Sequence, residues 1–525
     1  MSEEIIVGID LGTTFSAIAY VNSYGKPEII PNLEGERTTP SVIFFEEDDG
    51  TPIVGQTAFN QAITNPERTV RFVKRQMGNP SFRFNVDGED YLPETLSAII
   101  LKKLKNDAEE RLGKEIKRAV ISVPAYFKDA QREATKQAAE IAGLEVIRII
   151  NEPTAAALAY GLDKEEDQTI LIYDFGGGTF DVTILKVAGR EFTVLATDGD
   201  PQLGGSDVDA VLVKYLAEDF KEVHNVDLRE QPHTNQDLWQ KAEITKKDVG
   251  VRPSVKVVLS HGGNTASVNI DRDDFEDLIE DLINKTETYM KKVIRDAKMD
   301  WSDIDKIILV GGSSRIPAVQ KMIKRVTGKE PVKDTNPDEC VALGAAIQAV
   351  VATKETPKDS NGKKSTEETP DLKSDKGEII DLVINEVASH SLGIRVKSAQ
   401  TGKYINSIII PRLTQIPCEK TKIYGTSEDN QSRVEFDVLQ GEDEDPRSPD
   451  VDRIGKAGLK NLPSHKAGEL KIEVTLKYTA DGIIEVVTRE QMSGQVSRES
   501  IMQKSGILAD DIVEASKQKL EAMEI

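Results

Sequence analysis

The run Ile5-Ile6-Val7-Gly8-Ile9-Asp10-Leu11-Gly12-Thr13-Thr14-Phe15-Ser16 constrains this chain more than any other stretch. Its apolar, β-branched opening predicts a buried strand. The strand ends on an acid, a glycine and two threonines, and a second apolar run, Ala17 to Val21, follows at once. The segment therefore predicts a β-hairpin with Gly12-Thr13 at its turn. Such a turn presents backbone N–H groups and two hydroxyls, with no bulky side chain at Gly12, and suits phosphate oxygens. Asp10, at the strand end, is placed to hold a hydrated Mg²⁺ that neutralises those phosphates. A single copy is equally well explained as an ordinary hairpin with a polar tip.

A second copy changes the reading. Ile170-Leu171-Ile172-Tyr173-Asp174-Phe175-Gly176-Gly177-Gly178-Thr179-Phe180-Asp181 repeats the plan of strand, acid, glycines and threonine, followed by the strand Val182 to Val187. A third glycine turn lies at Val310-Gly311-Gly312-Ser313-Ser314-Arg315-Ile316-Pro317. Two matched Asp-bearing hairpins imply duplicated lobes facing one nucleotide, with the third turn closing over the nucleoside. These are not Walker loops, because no Gly-Lys-Ser/Thr follows, and no dinucleotide fingerprint follows the first strand.

The same three turns resemble the nucleotide-binding turns of the actin, sugar-kinase and heat-shock superfamily. Asn151-Glu152-Pro153-Thr154-Ala155-Ala156-Ala157 and Val123-Pro124-Ala125-Tyr126-Phe127 narrow the resemblance to the seventy-kilodalton heat-shock chaperones of the DnaK type. It covers nearly the whole chain. It implies a multidomain α/β plus all-β fold. A duplicated, two-lobed actin-like ATPase domain would span 1–352. A polar disordered insert and hydrophobic linker would follow at 353–385, then a β-sandwich peptide-binding domain at 386–500 and a short helix, a truncated lid, at 501–525.

The resemblance also distributes roles. Asp10 and Asp174 would hold Mg²⁺, mainly through water. Gly12, Thr13, Thr14, Gly176, Gly177, Gly178, Gly204 and Gly205 would bind the phosphates of ATP or ADP. Lys74 matches the family's catalytic lysine, with Thr179 and Asp181 nearby, and Glu152 would sit near Mg²⁺ and carry the signal onward. Four cations within eight residues (Arg68, Arg71, Lys74 and Arg75) would otherwise read as a solvated face. Glu243 and Lys246 would hold the ribose, and Lys247 and Arg315 would stack on the adenine. Gly311, Gly312, Ser313, Ile316 and Asp338 complete the nucleoside contacts. Pro124 and Arg132 belong to the family's nucleotide-sensing switch. Departures stand at Ser206, where an acid is usual, at Lys247, where arginine is usual, at Gly250, where serine is usual, and in the short Gly262-Gly263-Asn264 turn.

Composition shifts from Thr353 to Gly377, a polar run with a single leucine that predicts a linker. Asp381, Leu382, Val383 and Ile384 then resemble the apolar interdomain linker, although the first strand of the next domain is an alternative. From Glu386 to about Glu499, short alternating strands separated by turns such as Ala480-Asp481-Gly482 predict an all-β domain. By resemblance, Ile394, Val396, Tyr424, Val434 and Phe436 line its peptide groove. Lys397 and Ser427 stand where relatives place an arch over the peptide. Residues of this apolar, alternating kind are equally consistent with core. Ser505 onward predicts a helix with Asp510 as its cap, too short to fold back over the groove as a bundle.

Bulk properties agree with a soluble, multidomain protein. The chain has 525 residues and 30% charged residues. Its net charge of −23 argues against a nucleic-acid partner, whose backbone is met by lysine and arginine. No run reaches transmembrane length and no signal pattern opens the chain, so a cytoplasmic, membrane-free, monomeric protein is expected. Cys340 and Cys418 lie in no metal-ligand spacing. The expected function is an ATP-dependent chaperone for unfolded or extended polypeptides, with a J-domain co-chaperone and a nucleotide-exchange factor as candidate partners. Two rival classes are a small-molecule kinase of the same superfold, for which no sugar-site motif is evident, and a lidless scaffold or regulatory relative.

Overall fold

The computed structural model describes residues 5–162, 166–332, 336–355, 370–374, 376–479, 483–501, 508–523 and 525. Two six-stranded sheets repeat one plan. In the first, Ile5–Asp10 and Phe15–Val21 form an antiparallel hairpin, and Ile116–Val123 and Glu145–Asn151 add in parallel beside Ile5–Asp10. In the second, Gln168–Phe175 and Phe180–Ala188 form the hairpin, Lys306–Val310 adds in parallel, and Glu191–Asp200 continues on the other side. Their strands are near-continuous apolar runs because both faces are covered.

The apolar, alanine-rich helix Cys340–Glu355 lies between the sheets. Its Ala345, Ala346, Ile347 and Val350 share one core with Ile6 and Ala19 of the first sheet and Ile172 and Leu185 of the second. Helix Glu152–Gly161 joins the same core through Ala155, Ala156 and Leu158. Small residues are needed because backbones touch. A Cβ on Gly344 would sit 1.8 Å from the Ala155 carbonyl oxygen, and one on Gly8 would sit 2.0 Å from the Ala346 nitrogen. Each outer face is covered separately. Helices Pro93–Leu112 and Asp129–Ile141 cover the first sheet, and Gly205–His224, Pro232–Val251, Glu280–Asp296 and Pro317–Thr327 cover the second.

Two four-stranded antiparallel sheets follow, with strand orders Tyr404–Ile410, Leu392–Lys397, Arg433–Gln440, Asp452–Lys460 and Cys418–Gly425, Lys471–Tyr478, Ile484–Glu490, Val496–Ile501. They share one core through Leu392, Ile394, Val438, Ile472, Val474 and Ile484. The Ala480-Asp481-Gly482 turn lies outside the described residues.

The strand Val383–Val387 joins these two halves. Its first residues add in parallel to the edge of the second six-stranded sheet, with Val383, Ile384 and Asn385 opposite Glu191, Phe192 and Thr193. Its last residues pair antiparallel with Gln415–Ile416, just ahead of the sandwich strand Cys418–Gly425. Just before it, Leu382 and Ile380 are buried in the inter-sheet core, Val383 is exposed, and Asp381 meets Lys354 at 2.9 Å. The polar run ahead of it departs from expectation in part. Leu372 is buried in the same core, and Lys373 N–H donates to the Gly25 carbonyl, because the run's one leucine has an apolar site to fill. Residues 356–369 lie outside the described residues.

The helix Asp510–Glu521 packs on the first half. Val513 and Leu520 enter the core beneath helices Pro93–Leu112 and Asp129–Ile141. Gln137 and Leu508 exchange two hydrogen bonds, and Lys102 donates to the Leu520 and Met523 carbonyls. Asp510 is not the cap. Ala509 takes that position without a side-chain bond, and Asp510 and Asp511 lie in the first turn, where the helix dipole favours carboxylates.

A side chain at Gly344 must push two backbones apart. Gly344→Leu is expected to lower the first unfolding transition by more than about 3 kcal/mol, measured by denaturant titration with far-ultraviolet circular dichroism. A shift below about 1 kcal/mol would contradict this close packing.

Candidate functional site

The site forms where the three glycine turns converge. The tips of the two hairpins abut: a Cβ on Gly177 would sit 1.8 Å from Thr14 Oγ1, and one on Gly178 would lie 2.5 Å from Thr13 Cγ2. Gly204 approaches the Gly177–Gly178 backbone as closely, and Gly205 and Ser206 N–H donate to the Gly176 and Gly177 carbonyls. Ser313 Oγ donates to the Gly176 carbonyl at 2.9 Å, which ties in the third turn. Only glycine leaves room for these approaches, to the Thr13 and Thr14 side chains at Gly177 and Gly178 and to the Gly177–Gly178 backbone at Gly204.

Lys74 is buried beside this cradle and lies 2.5 Å from Glu152 Oε1. It is delivered by the short 3-10 turn Val73–Gln76 after Phe72, whose φ of 60° is left-handed. That conformation is costly for a bulky side chain and recurs at functional sites. Glu152 comes from the first position of helix Glu152–Gly161. Asp10 accepts from Ser122 Oγ at 3.1 Å, and Asp181 accepts from the Ala125 and Tyr126 N–H groups. Asp174 and Asp181 face each other in register across the second hairpin.

Four carboxylates, Asp10 half-buried and the other three buried, thus surround one ammonium. Burial, then the Glu152 charge, pushes the Asp10 and Asp181 carboxyls up to about 7. Burial, followed by Glu152, Asp181 and Asp10, raises Asp174 well above the usual carboxylate range. For Lys74, burial pulls downward, but Glu152, Asp10 and Asp174 outweigh it and hold the ammonium charged. A surplus of buried carboxylate beside a backbone cradle fits a divalent cation with a polyphosphate. Asp10 and Asp174 are the residues that would hold the cation.

The nucleoside candidates lie on the second half. Lys246 Nζ donates to Asp209 at 2.8 Å and to the Gly205 carbonyl, next to Ser313. Arg315 and Asp338 form a two-pronged ion pair at 2.9 and 2.8 Å beside Gly312. Lys247 lies 5.6 Å from the Phe15 ring centre. Ser206, the departure from the family pattern, accepts from Arg75 Nη1 at 2.7 Å.

The basic segment does not form a solvated face. Arg68 is spent on the Phe45 and Glu46 carbonyls and Asp87. Arg75 crosses to Gln202, Ser206 and Asp207. Arg71 was missed as a site residue. Its guanidinium lies over the Phe59 and Phe72 rings and reaches Glu243 at 2.7 Å, with both side chains nearly buried. The alternation of cations with Phe72 and Val73 was the available signal, since a solvated run carries no such apolar partners.

In the sandwich, Ile394 sits in the core, whereas Val396, Tyr424, Val434 and Phe436 are half-buried against it. Tyr424 Oη and Ser407 Oγ, 3.0 Å apart, bridge the two sheets. Lys397 and Ser427 are exposed. Arg132 donates to the Ala125 and Phe127 carbonyls and to Asn151, fixing the loop after Pro124.

A family model described as Hsp70 protein matches residues 6–84 and 78–524, nearly the whole chain. This chain belongs to the Hsp70 family. Members of this family are ATPases and molecular chaperones, and they bind ATP or ADP with Mg²⁺. Their two-lobed actin-like ATPase and β-sandwich agree with the paired sheets and the sandwich seen here. No helix among the described residues is long and apolar enough to cross a membrane.

Arg71 and Glu243 tie the two lobes across the cleft mouth, and a buried pair loses several kcal/mol when one partner is removed. Arg71→Ala is expected to accelerate release of a fluorescent ADP analogue about tenfold or more in stopped-flow measurements. An unchanged off-rate would remove Arg71 from this role.

Proposed function

We propose that the chain is an ATP-dependent chaperone of the DnaK type that binds exposed apolar segments of unfolded or nascent polypeptides. The Lys74–Glu152 pair, enclosed by Asp10, Asp174 and Asp181 between the matched hairpins, carries this reading. Mg²⁺, when bound, offsets the charge of the phosphates. The N–H groups and hydroxyls of residues 12–14 and 176–179 grip those phosphates, and Gly204 and Gly205 allow close approach. Lys74 supplies N–H donors toward the transferring phosphoryl group and orients the attacking water with Thr179 and Asp181. Glu243, Lys246, Lys247, Arg315, Ile316 and Asp338 hold the nucleoside.

Coupling runs through the strand Val383–Val387, whose release on hydrolysis would free the sandwich to hold an extended peptide by strand-like contacts. Pro124 and Arg132 relay the nucleotide state to it, because the loop they fix carries the amides that hold Asp181. A J-domain protein would stimulate hydrolysis, and a nucleotide-exchange factor would act where the Arg71–Glu243 pair closes the cleft. We place the protein in the cytoplasm as a monomer. Retention of Lys74 among its carboxylates favours hydrolysis over a purely scaffolding role. The deciding experiment is ATP turnover with and without an unfolded peptide: turnover stimulated by peptide supports the chaperone cycle, and the absence of turnover overturns it.

Lys74→Ala is expected to abolish hydrolysis while ATP binding stays nearly normal, since most binding contacts come from the three turns. Single-turnover hydrolysis near the wild-type rate would remove Lys74 from its role. Leu382→Asp places a charge in the inter-sheet core, at a desolvation cost the docked strand cannot recover. Peptide should then fail to stimulate turnover although both ligands still bind; intact stimulation would exclude this strand as the coupling element.

A further inference from the structure

The joint between the sandwich and the first half contains a buried histidine that the function above does not use. His390 is 4% exposed. Its Nε2 lies 3.0 Å from the Tyr126 carbonyl, so that nitrogen carries the proton, and its ring packs 4.3 Å from the Tyr126 ring. The adjacent Ser389 Oγ donates to the Ala125 carbonyl at 2.6 Å. Ala125 and Tyr126 are the two residues whose N–H groups hold Asp181. One side of this dipeptide therefore faces the catalytic carboxyl, and the other is gripped by the sandwich.

The charged surroundings of His390 are cationic. Lys128 and Arg132 face it from the first half and Arg412 from the sandwich loop. Of the acids at the joint, burial raises Asp129, to about 6, and Glu386, so both favour docking as pH falls and oppose the histidine, and the other three are engaged. Glu442 accepts from the Ser391 N–H, Asp452 pairs with Lys128, and Asp198 pairs with Lys292 and Arg412. A second proton on the imidazole would place a buried charge among like charges.

We propose that His390 is an acid-labile clasp, which when neutral holds the sandwich onto the loop that positions Asp181 and when protonated lets that loop go. Burial, with the nearby cations, pulls the docked imidazole down to about 4 from the usual 6.5. A group depressed in this way leaves docking at full strength above pH 6.5 and weakens it as pH falls toward 4. The histidine's contribution to the docking constant falls about tenfold for each pH unit in that window. His390 is a positioning residue, acting on Asp181 through the Ala125–Tyr126 backbone. The consequence for hydrolysis rests on the ATPase reading above, whereas the clasp stands on the joint itself.

The test is hydrogen–deuterium exchange of the full chain with Mg²⁺ and ATP at pH 7.5 and 5.5, corrected for the intrinsic rate. In the wild type, residues 124–128 and 385–391 are expected to lose roughly tenfold more of their protection at the lower pH than in His390→Gln. His390→Gln keeps an N–H donor but does not titrate, and should show no such loss. Equal losses in the two proteins overturn the clasp. If His390→Gln does not dock, the wild type decides alone by ¹⁵N-histidine NMR, where a His390 ring titrating near 6.5 in the docked protein overturns it. Single-turnover hydrolysis tests the positioning role. The wild-type pH profile should depart from that of His390→Gln below 6.5, and superimposed profiles despite lost docking would remove Asp181 from the argument. Absence of hydrolysis in both proteins would refute the ATPase reading and leave the clasp to the exchange data.

Discussion

The site depends on a charge imbalance. One ammonium, Lys74, is buried with four carboxylates, and each acid is held in place by a different element of the chain. Buried charge of one sign is costly unless something offsets it. The protein therefore holds an arrangement that a cation and a ligand rich in backbone-accepting oxygens would relieve. The glycine turns serve the same end. They let the Thr13 and Thr14 side chains, the Gly204 backbone and the Gly311 backbone close on the second hairpin, so the donors of the cradle are set before any ligand arrives.

This arrangement needs the two halves held together, and the central helix Cys340–Glu355 does so from behind while Arg71, Arg75 and Arg37 do so across the opening. The two joints differ in kind. The first is apolar and depends on the absence of side chains at Gly8 and Gly344. The second is ionic and spans groups that a ligand would also approach. A hinge that is rigid at its base and electrostatic at its mouth can open without disturbing its core.

Much of this was legible in the residues. The matched hairpins stand out because an apolar run followed by acid, glycine and threonine has few alternative meanings, and its repetition removes most of them. Lys74 and Glu152 could be named only by resemblance, since their meeting depends on a left-handed Phe72 that no spacing rule foretells. Arg71 was hidden for a related reason: a guanidinium over two rings is a tertiary fact, and a basic run in sequence resembles a solvated face. Core and groove in the sandwich alternate in the same way along a strand, so Ile394 and Val396 were indistinguishable until their burial was seen. Asp510 suits a cap because it is the polar residue beside Ala509, whereas the backbone starts the helix one residue earlier than that reading needs.

The strand Val383–Val387 belongs to two ladders at once, parallel to Glu191–Thr193 and antiparallel to Gln415–Ile416. Side chains on a strand alternate with a period of two, so sliding by one residue would turn Leu382 outward and bring Asp381 into the apolar core. Sliding by two would keep the facing of the side chains but change every partner in both ladders. The connection thus has no intermediate setting. It behaves as a ratchet tooth with a single seat, and the two halves of the molecule are either in register or apart.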